Sequence, residues 1–123
     1  MSKRRCGCVL CIGSDPVHLN LRCCLLAEHG FKVLSTGSAH EGVIRFGQEK
    51  VDAVVVDLDT DGAEAALITG ELKRLRPQVP VIMVVTDGRA LVDGATQQAD
   101  AVVVKSQEPS ALIGTIRSLF PGG

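Results

Sequence analysis

The segment Asp57-Leu58-Asp59-Thr60-Asp61-Gly62 sets three carboxylates at every second position and closes on a glycine. Two uses of such a pattern differ in chemistry. Alternate carboxylates with glycine at the sixth place begin a loop that wraps oxygen ligands around Ca2+. Asp-Gly also serves as plain turn chemistry and helix entry, the reading we favour for Asp59 and Asp61. The calcium pattern stops half-way, because the twelfth place holds Ile68 where a bidentate glutamate is needed and the eighth holds Glu64 where an apolar residue belongs. Asp57 keeps its interest in all versions. It ends the run Val51-Asp52-Ala53-Val54-Val55-Val56, which is apolar, β-branched and without polar alternation. Such a run is a strand buried on both faces, as parallel sheets produce. A carboxylate at that strand's C-terminal end lies where open α/β sheets place their ligands.

Other reactive side chains are scattered. Cys6-Gly7-Cys8-Val9-Leu10-Cys11 resembles a ligand cluster, but in a strand Cys6 and Cys8 share a face and Cys11 points to the other. Cys23-Cys24 falls inside a helix and has no histidine at zinc spacing. The five cysteines, an odd count, argue for reduced thiols that pack as small hydrophobes. His18, His29 and His40 sit at different phases of two helices and read as surface or capping residues; no Ser-His-Asp or Cys-His set emerges. Lys105 follows a short apolar run, Ala101 to Val104. Alone it would be a solvated lysine; beside Asp57 it gains a role.

The elements that must position these residues alternate regularly. A strand is predicted over Cys8 to Gly13. Asp15-Pro16 then supplies an N-cap with proline at the first helical position, and the helix runs to about His29, stopped by Gly30. Phe31 to Ser35 is a second strand. Ser38 and Glu41 have capping-box spacing and open a helix to about Glu49. The Asp57 strand is third. A helix from about Ala63 to Arg76 follows, with basic residues in its last turn and Pro77 after it. Val81 to Val85 is a fourth strand, about Ala90 to Gln98 a short helix, Ala101 to Val104 a fifth strand, and Glu108-Pro109 starts a helix to about Leu119. Pro121-Gly122-Gly123 is a tail or the start of a linker. Five strands alternating with five helices predict a single α/β domain: a doubly wound parallel sheet with right-handed crossovers. Several strand orders satisfy this pattern. One with a switch point sets strands one and three side by side, so that Asp57 faces Gly13-Ser14-Asp15.

Composition limits the function classes. At 123 residues the chain fits one domain able to bury roughly two-thirds of its unfolded surface. The 13 basic and 14 acidic residues nearly balance, and the only basic clusters, Lys3-Arg4-Arg5 and Lys73-Arg74-Leu75-Arg76, make no nucleic-acid stripe. Three Phe, no Tyr and no Trp leave little to stack on bases or sugars. No apolar stretch approaches the ~20 residues of a membrane span, and no signal peptide is visible, so a cytoplasmic protein without membrane or nucleic-acid partners is expected.

Taken together, the residues resemble the receiver domain of two-component response regulators over essentially the whole chain, residues 1–123 with an ordered core of about 6–120. The resemblance is carried by Val9-Leu10-Cys11-Ile12 with Asp15-Pro16 and His29-Gly30-Phe31, by Val51 to Leu58, by Pro80-Val81-Ile82-Met83, and by Ala101 to Lys105. It implies a flavodoxin-like five-stranded fold of strand order 2-1-3-4-5. It also implies a signalling module that is no enzyme beyond accepting a phosphoryl group and autodephosphorylating. Its partners would be a histidine kinase or phosphotransfer protein and an output protein. On this resemblance Asp57 is the phosphoacceptor, Lys105 the phosphoryl contact, and Thr86 a third member one place beyond the family's hydroxyl position, which falls on Val85. Mg2+ would be held by Asp57 with an acidic pair after strand one, but the pair positions hold Gly13 and Ser14. Asp15, one place later, and Asp59 are the remaining metal candidates. The aromatic switch position holds Val102, and the family's Lys-Pro is Lys105-Ser106. These departures imply an atypical member with an impaired Mg2+ site. The alternative is a phosphorylation-independent pseudo-receiver acting by protein contact. The Asp57-Asp59 pair also resembles the first motif of haloacid-dehalogenase-type phosphatases, which implies Asp57 as nucleophile and Asp59 as acid/base, but no later acidic pair after a strand completes it.

Overall fold

The computed structural model describes residues 7–57, 62–86 and 98–119. Five strands, β1 (Cys8–Gly13), β2 (Lys32–Thr36), β3 (Ala53–Asp57), β4 (Val81–Val85) and β5 (Ala101–Val104), form one sheet in the order β2-β1-β3-β4-β5. All its ladders are parallel. The helices are α1 (Pro16–Glu28), α2 (Ala39–Gln48), α3 (Gly62–Leu75) and α4 (Ser110–Leu119), with a 3-10 turn over Lys105–Gln107. The fold class and strand order expected above are those observed.

The apolar strands divide their side chains between two cores because successive residues point to opposite faces. Leu10, Ile12, Val54, Val56, Val81, Met83 and Val85 pack with Phe46 of α2 and with Ile68 and Leu72 of α3. Val9, Cys11, Val55, Ile82, Val84 and Val103 pack with Leu26 of α1 and with Leu112, Ile113 and Ile116 of α4. Every residue of β1, β3 and β4 is buried, as a sheet covered on both faces requires. Complete burial of a side chain such as Phe46 or Leu26 contributes roughly 1.5–3 kcal/mol.

Local signals set the boundaries. Asp15 caps α1, its Oδ1 accepting the N–H groups of Val17 at 3.0 Å and His18 at 3.4 Å, with Pro16 in the first turn. Gly30 follows the helix with φ 92°, a left-handed conformation that glycine adopts without a Cβ penalty. Ser38 caps α2, accepting from Glu41 N–H at 3.2 Å. Three boundaries differ from the sequence reading. β2 is displaced one residue onward, to Lys32–Thr36. β3 begins at Ala53 because Asp52 turns its backbone and side chain onto the start of β1: its N–H donates to Cys8 O and its Oδ2 accepts Cys8 N–H, both at 2.8 Å. The last helix begins at Ser110, after the 3-10 turn and a cis Glu108–Pro109 bond. The helix predicted over about Ala90 to Gln98 lies, up to residue 97, outside the described residues.

Cys8 and Cys11 are buried, as a hydrophobe reading requires, whereas Cys23 is half-buried and Cys24 exposed; Cys6 lies outside the described residues. No described helix is long and apolar enough to cross a membrane.

Candidate functional site

The sheet brings the ends of β1 and β3 together, Gly13 standing opposite Asp57 in the parallel register. Ser14 N–H donates to Asp57 O at 3.3 Å, which pins the loop after β1 against the end of β3. Asp57 is nevertheless buried, only 3% exposed. A carboxylate that leaves water at this depth needs compensating charge. Two cations supply it. Lys105 Nζ, from the end of β5, lies 3.2 Å from Asp57 Oδ1, and Arg22 Nη1, from α1, lies 3.1 Å from Oδ2.

Arg22 is itself buried, and Glu108 holds it. Its Nε donates to Glu108 Oε2 and its Nη2 to Glu108 Oε1, both at 2.9 Å. This is the paired fork geometry in which guanidinium and carboxylate match best. Burial acts to lower the guanidinium's pKa, but the hydrogen bond and charge of Glu108, joined by Asp57, outweigh it and hold the pKa above its ordinary value. The chain Lys105–Asp57–Arg22–Glu108 therefore joins β5, β3, α1 and the segment before α4, two positive groups balancing two negative ones.

Asp57 and Lys105 thus meet where the sequence reading put them. Asp15 is at the same edge, but its Oδ1 caps α1 and its Oδ2 lies 3.0 Å from His18 Nδ1. Thr86 follows β4 and is exposed, while Val85, one place before it, is buried in the core. Val102 packs, partly buried, on the α2–α3 side of the sheet. Asp59 and Asp61, on which the calcium-loop and phosphatase readings depend, lie outside the described residues. The element before Asp57 is a central strand, not the helix that precedes an EF-hand loop. Among the described residues no group of three or more His, Cys, Asp or Glu is arranged to hold a metal ion.

Arg22 and Glu108 are the site residues that the sequence reading missed. A signal for Arg22 exists: Leu19, Cys23 and Leu26 mark the inward stripe of α1, and Arg22 falls on it at helical spacing. A charge on such a stripe implies a buried partner. Glu108 had no comparable signal, its contact with Arg22 spanning 86 residues of sequence.

A pair of thiols adjoins this network. Cys11 of β1 and Cys23 of α1 share one hydrogen bond, which pushes the Cys11 thiol well up and draws the Cys23 thiol down to about 7. Burial opposes the lowering at Cys23, and the Ser35 hydrogen bond and Arg22 charge support it. Next to Arg22 and Glu108, a shallow pocket of about 350 Å3 is lined by His18, Leu21, Leu25 and Pro109 as well.

Comparison with known proteins identifies this architecture. The family model of the response regulator receiver domain matches residues 9–117. The transcriptional regulatory protein GlrR of Escherichia coli is 33% identical over 92 residues, 73% of this chain and 20% of that protein. The chain therefore spans about a fifth of that relative's length. Protein PilH of Pseudomonas aeruginosa is 27% identical over 118 residues, covering 93% of this chain and 98% of PilH. Among solved structures, response regulator TrrA of Thermotoga maritima, in complex with Mg2+-BeF, superposes with a TM-score of 0.85 at 21% identity, covering 93% of this chain and 99% of that one. A CheY-like receiver domain protein of Methanospirillum hungatei gives 0.80 at 23% identity, with 91% of each chain covered. The fold, the paired ends of β1 and β3 and the family match agree, and the chain belongs to the response regulator receiver domain family.

Proposed function

We propose that this receiver domain is a signalling module of a two-component phosphorelay in which Asp57 is the phosphoacceptor and Lys105 its phosphoryl contact. The observation that carries the reading is the placement of the Asp57 carboxylate at the end of β3 with Lys105 Nζ 3.2 Å from Oδ1. A carboxylate attacks phosphorus only where positive charge offsets the repulsion between two anions. Lys105 supplies such a charge. The module needs no catalytic turnover of its own, only acceptance of a phosphoryl group and its loss by autodephosphorylation.

The donor is a histidine kinase or phosphotransfer protein, and the receiver passes the signal on to an output protein. TrrA, whose fold this chain shares, has been crystallised with the histidine kinase ThkA. Contact with a protein is also supported by α1, where Val17 and Leu21 are 65% and 62% exposed on one side of the helix next to the site. Thr86 is a third candidate in this reading, placed just beyond β4.

A second reading is favoured by the depth of Asp57 and by the locking of Arg22 onto Glu108: a pseudo-receiver that signals by contact alone. Incubation with phosphoramidate, followed by intact mass, separates the two. Gain of one phosphoryl mass in the wild type and none in Asp57→Asn supports the phosphoacceptor. Absence of that gain in the wild type under every metal condition removes it and leaves the pseudo-receiver.

A further inference from the structure

Phosphoacceptance in the family implies Mg2+ beside the aspartate, and the described residues around Asp57 do not fit that ion. The two positions that should add carboxylates hold Gly13 and Ser14, and both oxygens of Asp15 are engaged within α1. A hard divalent cation wants several oxygen ligands and keeps waters around it. Asp57 Oδ2 instead meets a guanidinium nitrogen at 3.1 Å, within a pocket where the Arg22 and Asp57 side chains are 5% and 3% exposed.

We propose that Arg22 is the resident cation of this site: it stands against Oδ2 of the Asp57 carboxylate in place of a divalent ion, Glu108 fixes it there, and phosphoryl acceptance at Asp57 requires no divalent metal. The second half of this proposal rests on Asp57 being the phosphoacceptor; the first half does not. Three observations support it. The guanidinium is permanently charged and, unlike an ammonium, presents a planar fork whose two edges serve two carboxylates at once. Here one edge, Nε and Nη2, is used by Glu108, and the remaining nitrogen, Nη1, points at Asp57. Glu108 is thus a positioning residue. Finally, Lys105 takes the other carboxylate oxygen, so Asp57 stands between two cations, each within 3.2 Å.

The chemistry closes without a metal. A lone pair of the Asp57 carboxylate forms the new O–P bond with phosphoramidate. The P–N bond breaks and its electron pair leaves with nitrogen. Because the zwitterionic donor already carries three protons on nitrogen, ammonia departs neutral, and no proton or electron is taken from the protein. Arg22 and Lys105 remain as counter-charges to the acyl phosphate.

Two measurements test the two halves separately. The first is a Mg2+ titration of isotope-labelled protein followed by amide NMR, with Mn2+ line broadening as a check. The wild type should show no saturable change at Ser14 or Asp57. Arg22→Ala and Arg22→Gln should show one, because Asp57 and Glu108 would then face each other without their shared cation. Dispersed amide spectra identify which of the two variants is folded and can be read. Saturable Mg2+ binding by the wild type, or none by a folded Arg22 variant, overturns the resident-cation assignment.

The second measurement is phosphoramidate labelling with excess Mg2+ and with EDTA. Wild-type rates should agree within about twofold, and Arg22→Gln in EDTA should be slower by about 10² or more, the scale seen when one charge-stabilising donor is removed. A wild type that labels only with Mg2+ overturns metal independence. No labelling of the wild type in either condition sinks the phosphoacceptor reading and metal independence with it, while the first titration still decides whether Arg22 is the site's cation.

Discussion

Arg22 carries more of the site than any residue except Asp57, and its energetics follow from burial. Removing one member of a buried ion pair costs about 3–5 kcal/mol, because the remaining charge keeps its desolvation penalty. Arg22→Ala should therefore lower unfolding free energy by about 3 kcal/mol in urea titrations followed by circular dichroism. A double-mutant cycle with Glu108→Gln should give a coupling of about 1–3 kcal/mol, as for residues in one network. Cys23 permits a pH test. Its thiol is lowered from 9.0 to about 7 by the hydrogen bond with Cys11, against burial and with help from Ser35 and Arg22. Since thiolate is the reactive form, iodoacetamide alkylation of Cys23, followed by peptide mass spectrometry, should rise with a midpoint near pH 7. Replacing Cys11 with Ala should move that midpoint upward. The linkage has the sign of an acid: this thiol's contribution to stability is present above its unfolded pKa and declines as pH falls through about 7. At this scale the sequence shows where Asp57 and Lys105 stand, each at the end of a legible strand, and the fold brings them within 3.2 Å of each other. Sequence reading failed for Arg22, whose meaning depends on a glutamate 86 positions away.

The elements were more legible than their partners, for physical reasons. β-branched runs such as Ala53 to Val56 and Val81 to Val85 have no use outside a sheet covered on both faces, and caps at Asp15 and Ser38 announce themselves by residue type. The last helix was placed one or two residues early because Glu108-Pro109 looks like a helix start, whereas Glu108 is engaged by Arg22. Glycines inside helices show what sequence alone leaves ambiguous. A Cβ at Gly42 of α2 would come within 2.5 Å of Ile12 Cδ1 and 2.8 Å of its Cγ1, and Ile12 is buried. Gly42→Ala should accordingly destabilise by about 1–3 kcal/mol, the overpacking cost exceeding the helix gain. At Gly114 of α4 a Cβ meets nothing within 4 Å. Gly114→Ala should stabilise by up to about 1 kcal/mol. Paired denaturation curves check both signs; equal shifts in the same direction would contradict the packing argument.

Among the described residues the two ends of the sheet use their charges differently. At the N-terminal ends of the strands, aspartates stitch neighbours together. Asp52 Oδ2 accepts Cys8 N–H, and Asp100 Oδ2 accepts Val81 N–H while also holding Lys73 Nζ at 2.7 Å. The opposite end carries Asp57, Arg22 and Lys105. Opening should start at the sheet's edges, since β2 retains exposed positions whereas β1, β3 and β4 are buried throughout. Native-state hydrogen exchange should find the β1 and β3 amides among the slowest and those of β2 faster; uniform rates across the sheet would contradict this. Because the chain has no Trp and no Tyr, exchange and circular dichroism have to report what fluorescence cannot.

The Arg22–Glu108 fork has a further consequence, for descent. A lineage carrying it cannot acquire an acidic metal pocket by single neutral steps. Losing Arg22 first leaves two carboxylates facing each other, and losing Glu108 first leaves a buried guanidinium half-served. Each intermediate forfeits about 3 kcal/mol of a total that for domains of this kind is only about 5–15. The fork therefore acts as an evolutionary ratchet.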